Sequence, residues 1–302
     1  MKKDIKLAGL VLLISMFSLV AGCTTLNIEL PSVTQAPTNA RYPGKVIWHD
    51  LLTNDIEASQ RFYGGLFGWE FDELPLTLGV GASSKYLLIS HKGKLIGGMV
   101  DVSNVDQEIN SSQWVILMSV TDVDQAVADI KRAGGTVLTP PTDLNERGRI
   151  ALATDVDGAL FAVLETRYGD PLDREPAVGE FMWDEVWTSD VEKAVAFYKS
   201  VAPFELVDKQ LGNASYKGLL VDEKPRTGVL MNPAADQGLN PTWVSYIKVQ
   251  DMSVLDKVAG LGGQVLLGAE NRPIGGQVAI ITGPSGAGVV LQTWDDSQED
   301  LK

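Results

Sequence analysis

The feature that most constrains this chain is that it repeats itself. Residues 46–69 read VIWHDLLTNDIEASQRFYGGLFGW and residues 181–204 read FMWDEVWTSDVEKAVAFYKSVAPF. At an offset of 135, Trp48, Thr53, Asp55, Phe62 and Tyr63 fall on Trp183, Thr188, Asp190, Phe197 and Tyr198. A second pair of segments, WVILMSVTD at 114–122 and WVSYIKVQD at 243–251, repeats at an offset of 129. The order along the chain is therefore A, B, A′, B′. Each copy is too long to be one stacking unit of a solenoid, so the repeat reads as a duplicated domain. Equivalent positions in the two halves can then be compared one by one.

Each unit starts with a strand-like alternation and continues into a helix. Asp55, Asp122 and Asp190 stand where a helix cap belongs, because a short side-chain acceptor can satisfy the free amides of a first turn. Phe62, Leu66 and Trp69 are spaced to share one apolar face. Gly134-Gly135 and Gly262-Gly263 mark helix ends. Three short strands follow in each unit. Those at 85–90 and 94–100 are joined by His91-Lys92-Gly93, a hairpin turn that leaves His91 in solvent. The expectation is an α+β chain of four βαβββ units, forming two domains at 44–167 and 179–296. A linker at 168–178 joins them, and 297–302 is a tail.

This layout resembles the vicinal oxygen chelate superfamily, which includes glyoxalase I, extradiol dioxygenases and bleomycin-resistance proteins. The segments that carry the resemblance are HDLLTNDIEASQRFYGGLFGWEF, DVDQAVADIKRAGGTVLTPPTD and GRIALATDVDGALFAVLE. In the second half they are DVEKAVAFY and GQVAIITGPSGAGVVLQ. The resemblance implies two open cups, each built from two βαβββ units, with a ligand or metal inside. It does not fix an activity, since chemistry is set by the site and not by the fold. The family's metal ligands stand seven residues before the helix-opening Asp and four past the turn glycine of the last strand pair. Here those places hold Trp48, Val115, Trp183, Val244, Ala162 and Val290. None offers the imidazole or carboxylate that divalent ions need.

His49 lies one residue from such a place and is the one metal candidate. Strand side chains alternate between faces, so Trp48, Asp50 and Leu52 share one face and Ile47, His49 and Leu51 the other. With Trp48 in the cup, His49 faces the helix layer and reads as a hydrogen-bonded structural residue. Asp184 occupies its position in the second half. Asp50 and Glu185 are equivalent carboxylates on the cup face, beside Trp48, Trp183 and Trp187. A carboxylate among aromatics can act as a general acid or base, or hold a polar ligand with an indole stacked beside it. It can equally be a satisfied structural group. Tyr86 and Tyr216 could edge the cups, whereas Trp114 and Trp243 read as core.

The first 22 residues are expected to be an address rather than part of the fold. Lys2, Lys3 and Lys6 precede an apolar run, Leu7 to Ala21, which closes on Val20-Ala21-Gly22-Cys23. A membrane-spanning helix needs about 20 apolar residues, so the run is short for one and has signal-peptide form. The tetrapeptide resembles the lipobox of bacterial lipoproteins, which implies cleavage before Cys23 and lipidation of its thiol. Thr24 in the next position implies an outer-membrane protein facing the periplasm. Cys23 is the single cysteine, so no disulfide is expected in the chain. Residues 23–43 then read as a lipidated cysteine and a flexible Thr/Pro/Asn/Ser tether.

The net charge is −14, and the signal contributes +3 −1 = +2, leaving −16 for the mature chain. Such a surface argues against nucleic acid as a partner. The expected function is small-molecule binding in an aromatic-lined cup, in a monomer whose halves form an internal pseudo-dimer. No cofactor is expected, although a divalent metal at His49 is the alternative and would make the chain a lyase or dioxygenase-type enzyme. A third reading is an envelope interaction scaffold whose cups are filled by their own side chains.

Overall fold

The computed structural model describes residues 30–78, 82–103, 112–211, 214–233, 235, 238–272 and 275–294. The signal, Cys23 and the start of the tether lie outside the described residues, as does the tail at 297–302. No helix among the described residues is long and apolar enough to cross a membrane.

The duplication is visible in the topology. In the first half, unit A is β1 (Val46–Thr53), α1 (Ile56–Phe67), β2 (Glu70–Leu78), β3 (Ala82–His91) and β4 (Lys94–Asp101). Unit B is β5 (Gln113–Ser119), α2 (Val123–Arg132), β6 (Thr136–Val137), β7 (Thr142–Asp143), β8 (Gly148–Thr154) and β9 (Leu160–Thr166). Their strands join in one sheet of order β2-β3-β4-β1-β5-β9-β8-β6. The second half follows with β10 (Phe181–Thr188), α3 (Val191–Val201), β11 (Glu205–Leu211), β12 (Ala214–Val221) and β13 (Lys224–Met231). Its unit B′ is β14 (Thr242–Val249), α4 (Leu255–Val258), β15 (Gln264–Asn271), β16 (Gln277–Thr282) and β17 (Gly288–Thr293). The sheet order is β11-β12-β13-β10-β14-β17-β16-β15, which is the first half's order again.

The expected caps form. Asp55, Asp122 and Asp190 accept from the amides of Ala58, Gln125 and Lys193 at 2.9, 2.9 and 3.1 Å. Asp251 does the same for Ser253. Each such cap is worth about 1 kcal/mol. The helix expected up to Leu261 is reduced to the single turn α4 between two 3₁₀ turns, Met252–Val254 and Ala259–Leu261. Val254, Val258 and Gly260 are poor helix formers, so a continuous helix gains little here.

The two sheets pack back to back with the helices between them. One buried cluster joins unit B to unit A′: Val123, Val127 and Ile130 of α2 meet Val195, Phe197 and Tyr198 of α3. The other joins A to B′, with Phe62, Tyr63 and Leu66 against Ile247, Val258 and Ile281. The duplication extends into this core. Trp114 Nε1 donates to Tyr63 Oη at 3.1 Å, and Trp243 Nε1 to Tyr198 Oη at 2.9 Å. These two tryptophans are core, as expected.

Three sequence expectations need correction. His91 is buried, not solvated: its Nε2 meets the carbonyl of Val178 at 3.0 Å, where the linker crosses the turn. The segment 30–43 is not a free tether on the described residues. Leu30 and Val33 are buried, and Thr38 and Tyr42 are bonded to Asp170. Its leucine, valine and backbone carbonyls find partners on the first sheet, which outweighs its Pro and Thr content. The linker is likewise held. The fully buried Asp170 accepts from Ser119 and Thr166, and Asp173 takes Lys45, Lys224 and Arg226. Burial raises the affinity of Asp173 for a proton. The hydrogen bonds from Arg226, Lys45 and Lys224 outweigh it and hold the carboxyl below the usual carboxylate range.

Candidate functional site

The inner faces of the two sheets form the cups, and β1 and β10 supply their centres. Both strands carry a β-bulge just before the tryptophan, between Val46 and Trp48 and between Phe181 and Trp183. Beyond the bulge the alternation is regular. Trp48 and Asp50 point into the first cup, while His49 points out of it. The bulge also turns Ile47 toward the Trp48 cluster, away from the face it was expected to share with His49.

His49 stacks on Phe181, with ring centroids 3.8 Å apart, and its Nε2 lies 2.9 Å from Asp184 Oδ1. Ser245 Oγ donates to the same carboxylate oxygen at 2.6 Å. His49 and Asp184 are repeat-equivalent residues, so the pair sits where the two sheets meet about their pseudo-twofold axis. Its position is structural: each residue satisfies the other across the interface.

In the first cup, Asp50 Oδ1 accepts from Trp48 Nε1 at 2.9 Å and from Tyr86 Oη at 2.8 Å. Arg147 Nη1 donates to Tyr86 Oη at 2.9 Å, and its guanidinium lies over the Trp48 ring at 4.4 Å. Trp48 and Arg147 are each 1% exposed. Burial raises the pKa of Asp50, and the nearby Arg147 charge offsets only part of that. Burial also pushes the Tyr86 phenol well up. Among the described residues, buried Arg147 Nη2 has no hydrogen-bond partner.

The second cup repeats the set. Glu185 is 0% exposed. Its Oε1 accepts from Tyr216 Oη at 3.1 Å and Arg272 Nη2 at 3.2 Å. Its Oε2 accepts from Trp187 Nε1 at 3.4 Å and from the Tyr246 hydroxyl. Trp183 Nε1 donates to Tyr216 Oη at 2.9 Å, and Arg272 Nη1 to Gln292 Oε1 at 3.0 Å. Burial, with the Glu185 charge added, drives the Tyr216 and Tyr246 phenols well above their ordinary value. All five sequence candidates, Trp48, Asp50, Trp183, Glu185 and Trp187, therefore lie in a cup, divided between two separate clusters.

Sequence reasoning missed six members, of which Tyr246 and Gln292 stand where the first half has Leu117 and Leu164 and so carry no repeat signal. Arg147 and Arg272 enter from the loops before β8 and β16, where the copies differ in length, so the repeat does not align them. Gly98 and Gly228 lie beside the carboxylates on β4 and β13. A Cβ on either would come within 2.0 Å of the tyrosine hydroxyl, so these glycines make room for the Tyr–carboxylate bond. Both glycines and both tyrosines are offset by 130, a signal that was available.

The family's metal addresses do not fit a divalent ion. Trp48 pairs with Leu117 on β5, and Leu117 with Ala162 on β9. The same row in the second half is Trp183, Tyr246 and Val290. Indole, phenol and aliphatic groups line the centre of each cup. Among the described residues no three His, Cys, Asp or Glu side chains gather closely enough to hold a metal.

Comparison with known proteins agrees with this architecture. The sequence matches the Glyoxalase/Bleomycin resistance protein/Dioxygenase superfamily over residues 45–163. CFP32 of Mycobacterium tuberculosis (strain CDC 1551 / Oshkosh), a glyoxylase by designation, is 28% identical over 255 residues, which is 83% of this chain and 95% of the relative. The anthracycline biosynthesis protein DauV of Streptomyces sp. (strain C5) is 27% identical, over 82% of this chain and 92% of its own. Among solved structures, the Mn(II)-bound glyoxalase from Novosphingobium aromaticivorans superposes with a TM-score of 0.56 at 16% identity, over 83% of this chain and 82% of that one. An extradiol ring-cleaving dioxygenase from B. fuscum gives 0.57 at 12% identity, over 88% and 76%. Residues 45–163 thus carry the signature of this superfamily, and the likeness to solved glyoxalase and dioxygenase structures extends the shared fold over most of the chain.

Proposed function

We propose that this chain is a small-molecule-binding member of its superfamily that works without the usual metal, and that its second cup is the binding site. One observation carries the reading. Beside the places where a metal would be held, both cups carry an indole–carboxylate–phenol–guanidinium cluster, and only the second keeps several of those groups accessible. Trp183, Tyr216 and Arg272 are each partly exposed, whereas Trp48, Tyr86 and Arg147 are buried. Glu185 fixes the second cluster from beneath, with four donors on its two oxygens. A ligand could stack on Trp183 and place an acceptor at Arg272.

Residues 24–302 should retain no stoichiometric Mn, Fe, Ni or Zn after loading and dialysis, counted by mass spectrometry. A retained equivalent would replace this reading with metal-dependent enzyme chemistry. Planar aromatic carbonyl compounds are the first ligands to screen, since two relatives are named for anthracycline biosynthesis. Saturable quenching of tryptophan fluorescence that Arg272→Met weakens supports the second cup; quenching indifferent to that change does not.

The scaffold reading has one observation in its favour, the self-filled first cup. We further propose that Cys23 is lipidated and holds the protein in the outer membrane, facing the periplasm. Incorporation of radiolabelled palmitate, abolished by Cys23→Ser, tests this.

A further inference from the structure

The first cup is filled partly by the chain itself, and the filler shows what such a cup accepts. Leu30 lies against Tyr86 and Leu144, with Leu74, Leu88, Val100 and Ile150 around it. The carbonyl of Pro31 accepts from Arg147 Nε at 3.0 Å. Val33 packs in the same cluster as Trp48. An extended strap, Leu-Pro-Ser-Val, thus offers a branched side chain to the tyrosine, a carbonyl to the arginine and a second aliphatic group near the tryptophan.

Four of the strap-binding residues have counterparts in the second cup. Tyr216 stands for Tyr86, Leu230 for Val100, Val278 for Ile150 and Arg272 for Arg147. The registers agree: Leu88 faces Gly98 as Gly218 faces Gly228, and Ile150 faces Leu164 as Val278 faces Gln292. Tyr216, Leu230 and Val278 all keep exposed surface. Gly218 in place of Leu88 widens the subsite, because a Cβ there would meet nothing closer than 3.6 Å. The bonds of Arg272 to Gln292 and Glu185 run through Nη1 and Nη2. The linker segment that precedes β10, as the strap precedes β1, does not fill this cup. Asp173 instead binds Lys45, Lys224 and Arg226, and Leu172 is exposed.

We propose that the second cup binds an extended peptide segment of the Leu-Pro type, with a branched apolar side chain on Tyr216 and Leu230 and the following carbonyl on Arg272. The inference rests on the second cup being the binding site and names its ligand class. The strap of the first cup is the internal version of that ligand. An extended, proline-restricted segment suits such a site because little chain entropy remains to be lost on binding.

The test uses residues 24–302 and the acetylated, amidated hexapeptide IELPSV, which is residues 28–33 of this chain. Calorimetry should give one peptide per chain. Replacing the peptide leucine by Asp, or Arg272 by Met, should weaken binding at least tenfold. Because Arg272→Met also unpairs Glu185 and could unfold the domain, hydrogen exchange on the unaltered protein gives a second readout. Added peptide should protect residues 214–221 and 277–282. Absence of binding at millimolar peptide overturns the proposal, as does protection confined to the first cup or binding indifferent to both changes. If aromatic ligands bind the second cup while the peptide does not, the peptide class fails and the binding site stands. If neither binds, both readings fail.

Discussion

The two cups are built from the same five residue types at equivalent positions: a tryptophan, a carboxylate, a tyrosine, a glycine and an arginine. In the first, Trp48, Tyr86 and Arg147 are buried, and the strap lies over them with Leu30 on the tyrosine and Pro31 on the arginine. Asp50 keeps some solvent contact and bonds two donors through one oxygen. In the second the accessibility is inverted. The carboxylate is sealed and has four donors, while the tryptophan, tyrosine and arginine above it reach the surface. Leu117 in the first cup becomes Tyr246 in the second, and Leu164 becomes Gln292, adding polar partners for Glu185 and Arg272. The comparison separates two roles for one constellation. A buried guanidinium over an indole plugs the first cup; a braced carboxylate supports an open surface in the second.

The largest expected effect tests that asymmetry directly. Glu185→Ala would leave Arg272 largely buried without its carboxylate and strip the acceptor from two phenols and an indole. Removing one partner of a buried pair typically costs about 3–5 kcal/mol. Asp50→Ala, at a partly wet carboxylate that pairs with Arg147 only through Tyr86, should cost about 1–3 kcal/mol. Urea unfolding of both variants gives the two numbers. Equal losses would mean the two carboxylates do the same job, and the comparison would break.

Leu30→Ala comes next. A buried leucine truncated to alanine loses about 2–5 kcal/mol in a closed core, and the low end applies to a strap that can partly settle. Amide exchange should quicken on 30–34 and at Tyr86, with no change at Tyr216. If exchange in the first cup is unaltered, the strap is decoration and not a plug. Gly98→Ala and Gly228→Ala sharpen the same contrast. Each new methyl would sit within 2.0 Å of a tyrosine hydroxyl, and overpacking of this kind costs about 1–3 kcal/mol. Tyr216 has open surface to move into and Tyr86 lies beneath Leu30, so the first-cup variant should show the larger loss in thermal unfolding.

Much of this was readable from the residues alone. The repeat located all four units, and alternation put Asp50 and Glu185 in the cups with His49 facing away. The caps at Asp55, Asp122 and Asp190 were visible because they depend only on local spacing. What stayed hidden depends on distant contacts. Arg147 and Arg272 come from loops of unequal length, so no fixed offset pairs them. The burial of His91 needs the linker laid across its turn, which a hairpin signal does not encode. Thr- and Pro-rich composition made 30–43 look free, since two apolar side chains and one carbonyl outweigh composition only once a cup is there to receive them.

The smallest expected effect concerns the proton on Asp50. Burial raises its folded-state pKa above the ordinary value of 3.8. A raised folded pKa means that the native state holds the proton more tightly than the unfolded chain. That contribution to stability is fully present below about pH 3.8 and is lost as pH rises through the elevated native value. Asp50→Asn has no proton to lose and can still accept from Trp48 and Tyr86 through its carbonyl oxygen. The stability difference between variant and parent should therefore move in favour of Asn as pH rises above 3.8, by about 1.4 kcal/mol for every tenfold by which folding tightens the hold of Asp50 on its proton. Other carboxylates cancel in the difference, because they are common to both proteins. A difference that stays flat from pH 3 to pH 8 would mean that Arg147 fully offsets the burial of Asp50. The contrast between the two cups would then reduce to the strap alone.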